Sequence, residues 1–188
     1  VLVGGVDLTV MGFEDRHRAL RMVPQDGFLF DTTVADNIAF GRSGADRGDA
    51  EQAIEDLGLG WWVDRLPGGL DTRVGERGES LSVGERQLVA LARAQVADPG
   101  LLILDEAISA VDPETEQALE GALERLAKGR TTVSVAHRLT TAERVDLVLV
   151  FDRGRIVEQG RHVDLVDADG VYAELHRSWL GNTRPALR

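Results

Sequence analysis

The sequence contains no cysteine. That excludes disulfide staples and thiolate metal sites, and it fits a reducing compartment. Lysine is almost missing too. Lys128 is the single one among 21 basic residues, so no lysine stands in the GxxxxGK[ST] context of a phosphate-binding loop. No apolar run approaches the length needed to span a bilayer, and the start has no secretory-leader pattern. Positive charge is outweighed: the net charge is −11. An acidic surface repels the phosphates of nucleic acid and argues against a DNA- or RNA-binding domain. A local nucleotide site is still allowed, because helix starts and glycine loops hold phosphate without net positive charge. What is present is a chain of 188 residues, 43% hydrophobic, enough for one good-sized domain. It begins VLVGGVDL at Val1, which reads as a start partway through a fold.

Strand-like runs recur between helical ones. Arg21–Gln25, Leu101–Asp105, Thr131–His137 and Leu147–Phe151 are short, apolar and partly β-branched. The near-continuous LLIL predicts a strand buried on both faces, as in a parallel sheet. Among the helical patterns, Pro113–Ala127 is the clearest. Pro113 suits the first turn, Glu114 and Glu116 suit the positive end, and Leu119, Leu123 and Leu126 form a stripe. Strands alternating with helices predict an α/β fold. Residues 31–78 differ, being rich in Asp, Gly and Arg, and read as a mostly helical insertion with helices near Val34–Phe40 and Asp49–Leu59. Residues 161–178 read as two short helices, and the last ten as a frayed tail.

Four polar residues follow strand-like runs. In LLILDEA, Asp105 and Glu106 stand at a strand's carboxyl end, where open α/β sheets bind ligands. One of the two can hold Mg²⁺ and the next can take a proton from an attacking water; alternatively both simply open a loop. His137 in VSVAHR can bond a phosphate or orient a water, or be a satisfied structural histidine. Gln25 in VPQD can reach a metal or water, or be a loop residue. As a set they could gather at one sheet edge. In SLSVGERQ, Ser82 and Glu85 make a capping box, with Leu88, Leu91 and Ala92 facing a core. Any helix can start so; the functional version adds the first-turn amides, the serine hydroxyl and Gly84 as an anion site.

Taken in order, these motifs resemble those of the ATP-binding-cassette (ABC) ATPases. LSVGERQLVALARA resembles the signature helix, and LLILDEA the Walker B strand with its catalytic glutamate. SAVD (109–112) resembles the D-loop and SVAHR the switch-histidine loop. VPQDGFLFDTTVADNI resembles the Q-loop of the exporter branch, and TRVGERG (72–78) its X-loop. The ending DLVLVFDRGRIVEQGRHVDLV also resembles an exporter nucleotide-binding domain, so the likeness covers nearly the whole chain.

The resemblance implies a partial P-loop NTPase (RecA-like) core with a parallel sheet, plus the ABC helical subdomain. It divides the chain into a remnant of the N-terminal core part at 1–25, a helical subdomain with X-loop at 26–85, core and C-terminal helices at 86–178, and a tail at 179–188. It implies that Glu106 is the general base, Asp105 the Mg²⁺-organising acid, His137 the γ-phosphate switch and Gln25 the sensor of metal and water. Ser82, Val83, Gly84 and Glu85 would contact an ATP held by an opposing subunit. Asp112 would lie at the dimer seam, and Glu76 would face the coupling helices of membrane domains. ATP and Mg are the implied ligands. The implied partners are a second nucleotide-binding domain and the transmembrane domains of an exporter, at the cytoplasmic face of the plasma membrane, with no nucleic acid.

Val83 and Glu85 depart from the LSGGQ form, placing a carboxylate where phosphate is expected, and Ile108 replaces a common threonine. The resemblance further implies that the Walker A loop and the adenine-stacking aromatic precede Val1, so that this chain alone would not be ATPase-competent. Two rival readings are a catalytically silent half of a heterodimeric transporter and a soluble ABC ATPase of DNA repair. The acidic charge, the short helical insertion and TRVGERG disfavour the second.

Overall fold

The computed structural model describes residues 1–24, 27–105, 112–136 and 139–183. The chain divides into two compact units, 1–135 and 136–188.

The first unit opens with an antiparallel hairpin of β1 (Leu2–Val3) and β2 (Val6–Asp7). Gly4 and Gly5 form its two-residue turn with φ of +58° and +83°, the twist that joins adjacent strands most easily. Then α1 (Phe13–Ala19) leads into β3 (Leu20–Val23). The helical stretch follows as α2 (Val34–Ala39), α3 (Arg47–Asp56), α4 (Gly60–Val63) and two single 3₁₀ turns, Gly69–Asp71 and Glu76–Gly78. The long α5 (Val83–Ala97) returns the chain to β4 (Leu101–Asp105), and α6 (Pro113–Ala127) joins β4 to β5 (Thr131–Val135).

Three strands form a parallel sheet in the order β3-β4-β5. Arg21, Leu102 and Thr132 pair across one row, and Val23, Leu104 and Ser134 across another. The core sits against the face that carries Val23, Leu102 and Leu104. It is made by α5, through Leu88, Val89, Leu91 and Ala92, and by α6, through Leu119, Ala122 and Leu126. The insertion adds Val34, Ile38, Ala53, Leu57, Leu59 and Trp62 to the same cluster. Burying one such aliphatic side chain contributes about 1.5–3 kcal/mol, which explains why segments so different in composition join one core.

Two expectations are corrected, and one strand gains its partner. The LLIL strand is buried on one face only. The other face alternates Met22, Ile103 and Val133, of which Met22 and Val133 are about half exposed, 49% and 51%. The LVLVF run is the strand expected, with a partner that its sequence does not name. As β6 (Val148–Asp152) it pairs antiparallel with β7 (Arg155–Gly160), with a bulge at Val150/Phe151. Finally, the last helix continues past Ser178: within the second unit, α7 (Leu139–Glu143), β6 and β7 are followed by α8 (His162–Asp167) and α9 (Val171–Thr183).

The second unit has a small buried cluster of its own, Ala142, Val150, Leu165 and Tyr172. Glu158 of β7 fixes the start of α9 by accepting from the amides of Val171 (2.6 Å) and Tyr172 (2.9 Å). Among the described residues, no helix is long and apolar enough to cross a membrane.

Candidate functional site

In-register parallel strands end side by side. Val23 is level with Leu104, and Asp105 is level with Val135. Asp105 therefore stands at the carboxyl edge of the sheet's central strand, partly exposed. Gln25, Glu106 and His137 lie outside the described residues. Each follows one of these strand ends by one or two positions in the sequence, after Val23, Asp105 and Val135.

A second element is the start of α5. Ser82 is its N-cap: the hydroxyl accepts from the Glu85 amide at 3.3 Å, and Glu85 Oε2 accepts from the Ser82 amide at 2.8 Å. The reciprocal box is worth about 1 kcal/mol of helix stability. It leaves the amides of Val83 and Gly84 without an intrahelical acceptor, as every helix start must. Glu85 has a further bond that its sequence pattern does not suggest. Its Oε1 accepts from the indole Nε1 of Trp62, which is buried, at 3.1 Å. Both carboxylate oxygens thus face donors. The charge that the sequence places in the signature is held by the cap and by α4.

The segment from Gly27 to Thr32 is held by a polar network that the sequence analysis missed. Asn37, fully buried on α2, accepts from the Phe30 amide (2.9 Å) and donates to the carbonyls of Phe30 and Thr33, both at 3.0 Å. Arg93 of α5 donates to the Asn37 carbonyl (2.8 Å), to its side-chain oxygen (3.0 Å) and to the Phe28 carbonyl (2.9 Å). Burial, and then the charge of Arg21, lowers the Arg93 guanidinium to about 10. Gly41 is needed where α2 meets α5, since a Cβ there would lie 2.2 Å from the Arg93 carbonyl oxygen. The available signal was an arginine and an asparagine placed among apolar helix positions.

Above this network, Phe28, Phe30 and Phe40 form an exposed aromatic group. Phe28 meets Phe30 edge-on at 5.1 Å, and Phe30 lies 4.5 Å from Phe40. Phe28 and Phe40 border a cavity of about 210 Å³ lined also by Arg21, Val23 and Arg93.

Glu76 is exposed on a 3₁₀ turn between Gly75 and Gly78, whose φ values are +73° and +76°. A Cβ on Gly78 would come within 2.8 Å of Leu29 and 2.9 Å of Arg86, so this turn packs directly on the signature helix and the Gly27–Thr32 segment. Val74 donates to the Thr32 carbonyl and Val34 to that of Thr72, both at 3.0 Å, which ties the two loops together. Asp112 is the N-cap of α6, accepting from the Thr115 amide at 2.9 Å. That bond holds its carboxyl below the usual carboxylate range. Capping is a structural use of Asp112, and it orients the acid at the entry to α6.

A family model described as "ABC transporter" matches residues 1–109. An ATM1-type heavy metal exporter of Novosphingobium aromaticivorans is 46% identical over 175 residues, 93% of this chain and 29% of that protein. An ATP-dependent lipid A-core flippase of Pseudomonas aeruginosa is 45% identical over 187 residues, 99% of this chain and 31% of that protein. Among solved structures, a bacterial Atm1-family ABC exporter with ATP bound matches with a TM-score of 0.80 at 45% identity, over 92% of this chain and 30% of that one. The chain spans about three tenths of the length of the relatives it matches. The chain belongs to the ABC transporter family, as a nucleotide-binding domain of the exporter kind built on part of a P-loop NTPase core.

Proposed function

We propose that the chain supplies the Walker B edge and the signature helix of an ATP-hydrolysing exporter. The observation that carries this reading is the in-register sheet edge: the strands that precede Gln25, Glu106 and His137 end side by side around Asp105. The residues fit the ligands such a protein uses. Asp105 is an oxygen donor at a strand's carboxyl end, suited to Mg²⁺. The α5 start offers the Val83 and Gly84 amides and the Ser82 hydroxyl to a phosphate. When bound, Mg-ATP supplies the reactive phosphoanhydride and a cation that spreads its charge.

Each residue then has one task. Glu106 takes the proton of the attacking water. His137 bonds the terminal phosphate, and Gln25 senses metal and water. Ser82, Val83 and Gly84 meet an ATP held by the opposing subunit in a head-to-tail dimer, while Glu85 holds the cap. Asp112 lies at that seam. The sequence carries no GxxxxGK[ST], so the lysine cradle must come from outside it and the 188 residues alone do not turn ATP over.

Membrane domains of the exporter are the second partner, at the cytoplasmic face of the membrane. Phe28, Phe30 and Phe40 support this, as an exposed aromatic group of the kind that partner surfaces cover. Glu76, on its exposed turn, faces the same partner. In this reading residues 1–25 belong to the core's first part, 26–85 to a helical subdomain, 86–178 to the rest of the core with the C-terminal helices, and 179–188 to a tail.

The test is Glu106→Gln in the complete transporter. Removing a general base lowers turnover about 10²–10⁴-fold, while the shape of the site and ATP binding persist. Steady-state phosphate release and nucleotide binding are measured on the same preparation. Unchanged turnover overturns the assignment of Glu106.

A further inference from the structure

The second unit holds a cluster that none of the ATP chemistry uses. Glu143 ends α7, His162 begins α8 and His176 lies in the second turn of α9. One ligand atom from each lies within 4.8 Å of the other two. Three separate helices therefore deliver two imidazoles and a carboxylate to one point.

Local structure keeps them there. Glu158 holds the first amides of α9, and Gly170 leaves room for its carboxylate, since a Cβ would lie 2.0 Å from Oε1. Leu165 of α8 and Tyr172 of α9 are buried in the same small cluster as Ala142 of α7, which fixes the three helices against each other. The rings of His162 and His176 meet at 5.3 Å and 61°, too steeply inclined to be a parallel stack. Tyr172 Oη lies 2.8 Å from His162 Nδ1. In the tautomer where Nδ1–H donates to that oxygen, Nε2 keeps its lone pair for a cation. Metal-binding histidines are usually oriented in this way by an acceptor on the other nitrogen. The nearest arginine in sequence to His176, Arg177, is paired with Asp169 at 2.9 Å.

We propose that Glu143, His162 and His176 form a site for a borderline divalent transition metal, best suited to Zn²⁺. Two nitrogens and one carboxylate oxygen are the donor set of three-ligand zinc sites, with water completing the tetrahedron. Mg²⁺ and Ca²⁺ prefer oxygen alone, so this site is chemically distinct from one at Asp105. Ligand atoms about 2.1 Å from one ion stand about 3.4 Å apart. The observed spread closes on the ion by side-chain rotation, with Glu143 the mobile partner because it is exposed. The bound ion joins α7, α8 and α9, and orders the end of the domain independently of nucleotide.

The test is a titration of the chelator-treated 188-residue chain with Co²⁺, followed by displacement with Zn²⁺. Tetrahedral cobalt has a visible d–d band, and with no cysteine in the chain no thiolate charge-transfer band accompanies it. The expected result is one saturable equivalent per chain. Glu143→Gln, on an exposed side chain that leaves the fold intact, weakens binding at least about tenfold, as loss of a ligand or its support does. His176→Gln abolishes the band, and His17→Gln, which is not one of the three ligands, leaves it unchanged. Circular dichroism checks folding of each variant. No saturable uptake, uptake unchanged in both site variants, or equal loss in His17→Gln overturns the proposal. Phosphate release by the complete transporter is a separate readout, so failure here leaves Glu106 untouched.

Discussion

The two compact units are stabilised by different means. Residues 1–135 share one aliphatic core in which Leu88, Leu91, Leu102, Leu119 and Leu126 are fully buried. Residues 136–188 have, among the described residues, a buried cluster of only Ala142, Val150, Leu165 and Tyr172, supplemented by polar ties such as Glu158 to α9 and Tyr172 to His162. A large core fixes a geometry by packing alone, whereas a small one needs hydrogen bonds, or a metal, to do the same. The difference suits the proposed function, in which the sheet edge around Asp105 must be rigid while the C-terminal helices need only be held.

The largest test of that contrast is truncation at the centre of each cluster. Leu91→Ala removes a fully buried side chain from the long core, at a cost of about 2–5 kcal/mol. Leu165→Ala is expected near the bottom of that range, because its site is 7% exposed and the small cluster around it relaxes more easily. Urea denaturation of both variants measures the two costs. Equal costs would mean that the second unit is as tightly packed as the first.

A smaller effect sharpens the comparison inside the first unit, where one polar network is set into the apolar core. Asn37→Ala deprives the Phe30 amide of its acceptor and the Arg93 guanidinium of one of its three. Leaving such groups buried and unpaired costs about 1–3 kcal/mol. Hydrogen exchange is expected to rise at Phe30 before it rises along α5. Uniform acceleration through α5 would show that Asn37 supports the whole core and not just the Gly27–Thr32 segment.

Smaller again is Ser82→Ala at the start of α5, which removes one cap bond at about 1 kcal/mol. Glu85 stays in place because Trp62 also holds it. Thermal denaturation of this chain should therefore show a modest loss. In the complete transporter, ATP turnover should fall by far more than that loss explains. A fall in turnover no larger than the stability change predicts would leave Ser82 a cap and nothing else.

The elements that were legible in the sequence are those with strong local signals. β4 and α6 have the expected boundaries, Leu101–Asp105 and Pro113–Ala127, because a buried aliphatic run and a Pro-started amphipathic stripe are decided locally. The Ser82 capping box was legible for the same reason. The β1–β2 hairpin was missed although its Gly4-Gly5 turn is a hairpin signal. β6 was legible as a strand but its partner was not, because an apolar run does not state what it pairs with, and pairing with β7 depends on the Arg153-Gly154 turn, where φ is +45° and +77°. Glu85–Trp62, Arg93–Asn37 and the Glu143–His162–His176 cluster join positions 23, 56 and up to 33 residues apart. Contacts at that range leave no periodicity to read. The set of Gln25, Asp105, Glu106 and His137 was read from the strand-like runs they follow and from motif order, and of the four Asp105 alone is among the described residues.

The smallest expected effect separates the units by pH. In the first unit, Asp36, Asp49, Asp56 and Asp112 are all held below the ordinary carboxylate value. The causes, in order, are the Thr32 hydroxyl, the Asp46 amide, the Gln52 side chain and the Thr115 amide. A lowered folded value means that the unfolded chain binds more protons near pH 4, so stability rises with pH there. Their contribution is complete above about pH 4, the unfolded value, and is lost as pH falls through the folded ones. In the second unit, the Tyr172 hydroxyl is raised, first by burial and then by Glu143. Its contribution is complete below about pH 10 and is lost as pH climbs through the raised value. Acid should therefore loosen the first unit and alkali the second. Trp61 and Trp62 lie in the first unit, and Tyr172 is the chain's one tyrosine. Following ring signals of these three residues by NMR across both limbs tests the assignment. Loss of the Trp62 signal on the alkaline limb before that of Tyr172 would reverse it, because burial lowers Arg93, beside the Asn37 network, and this favours the first unit as pH rises above about 10.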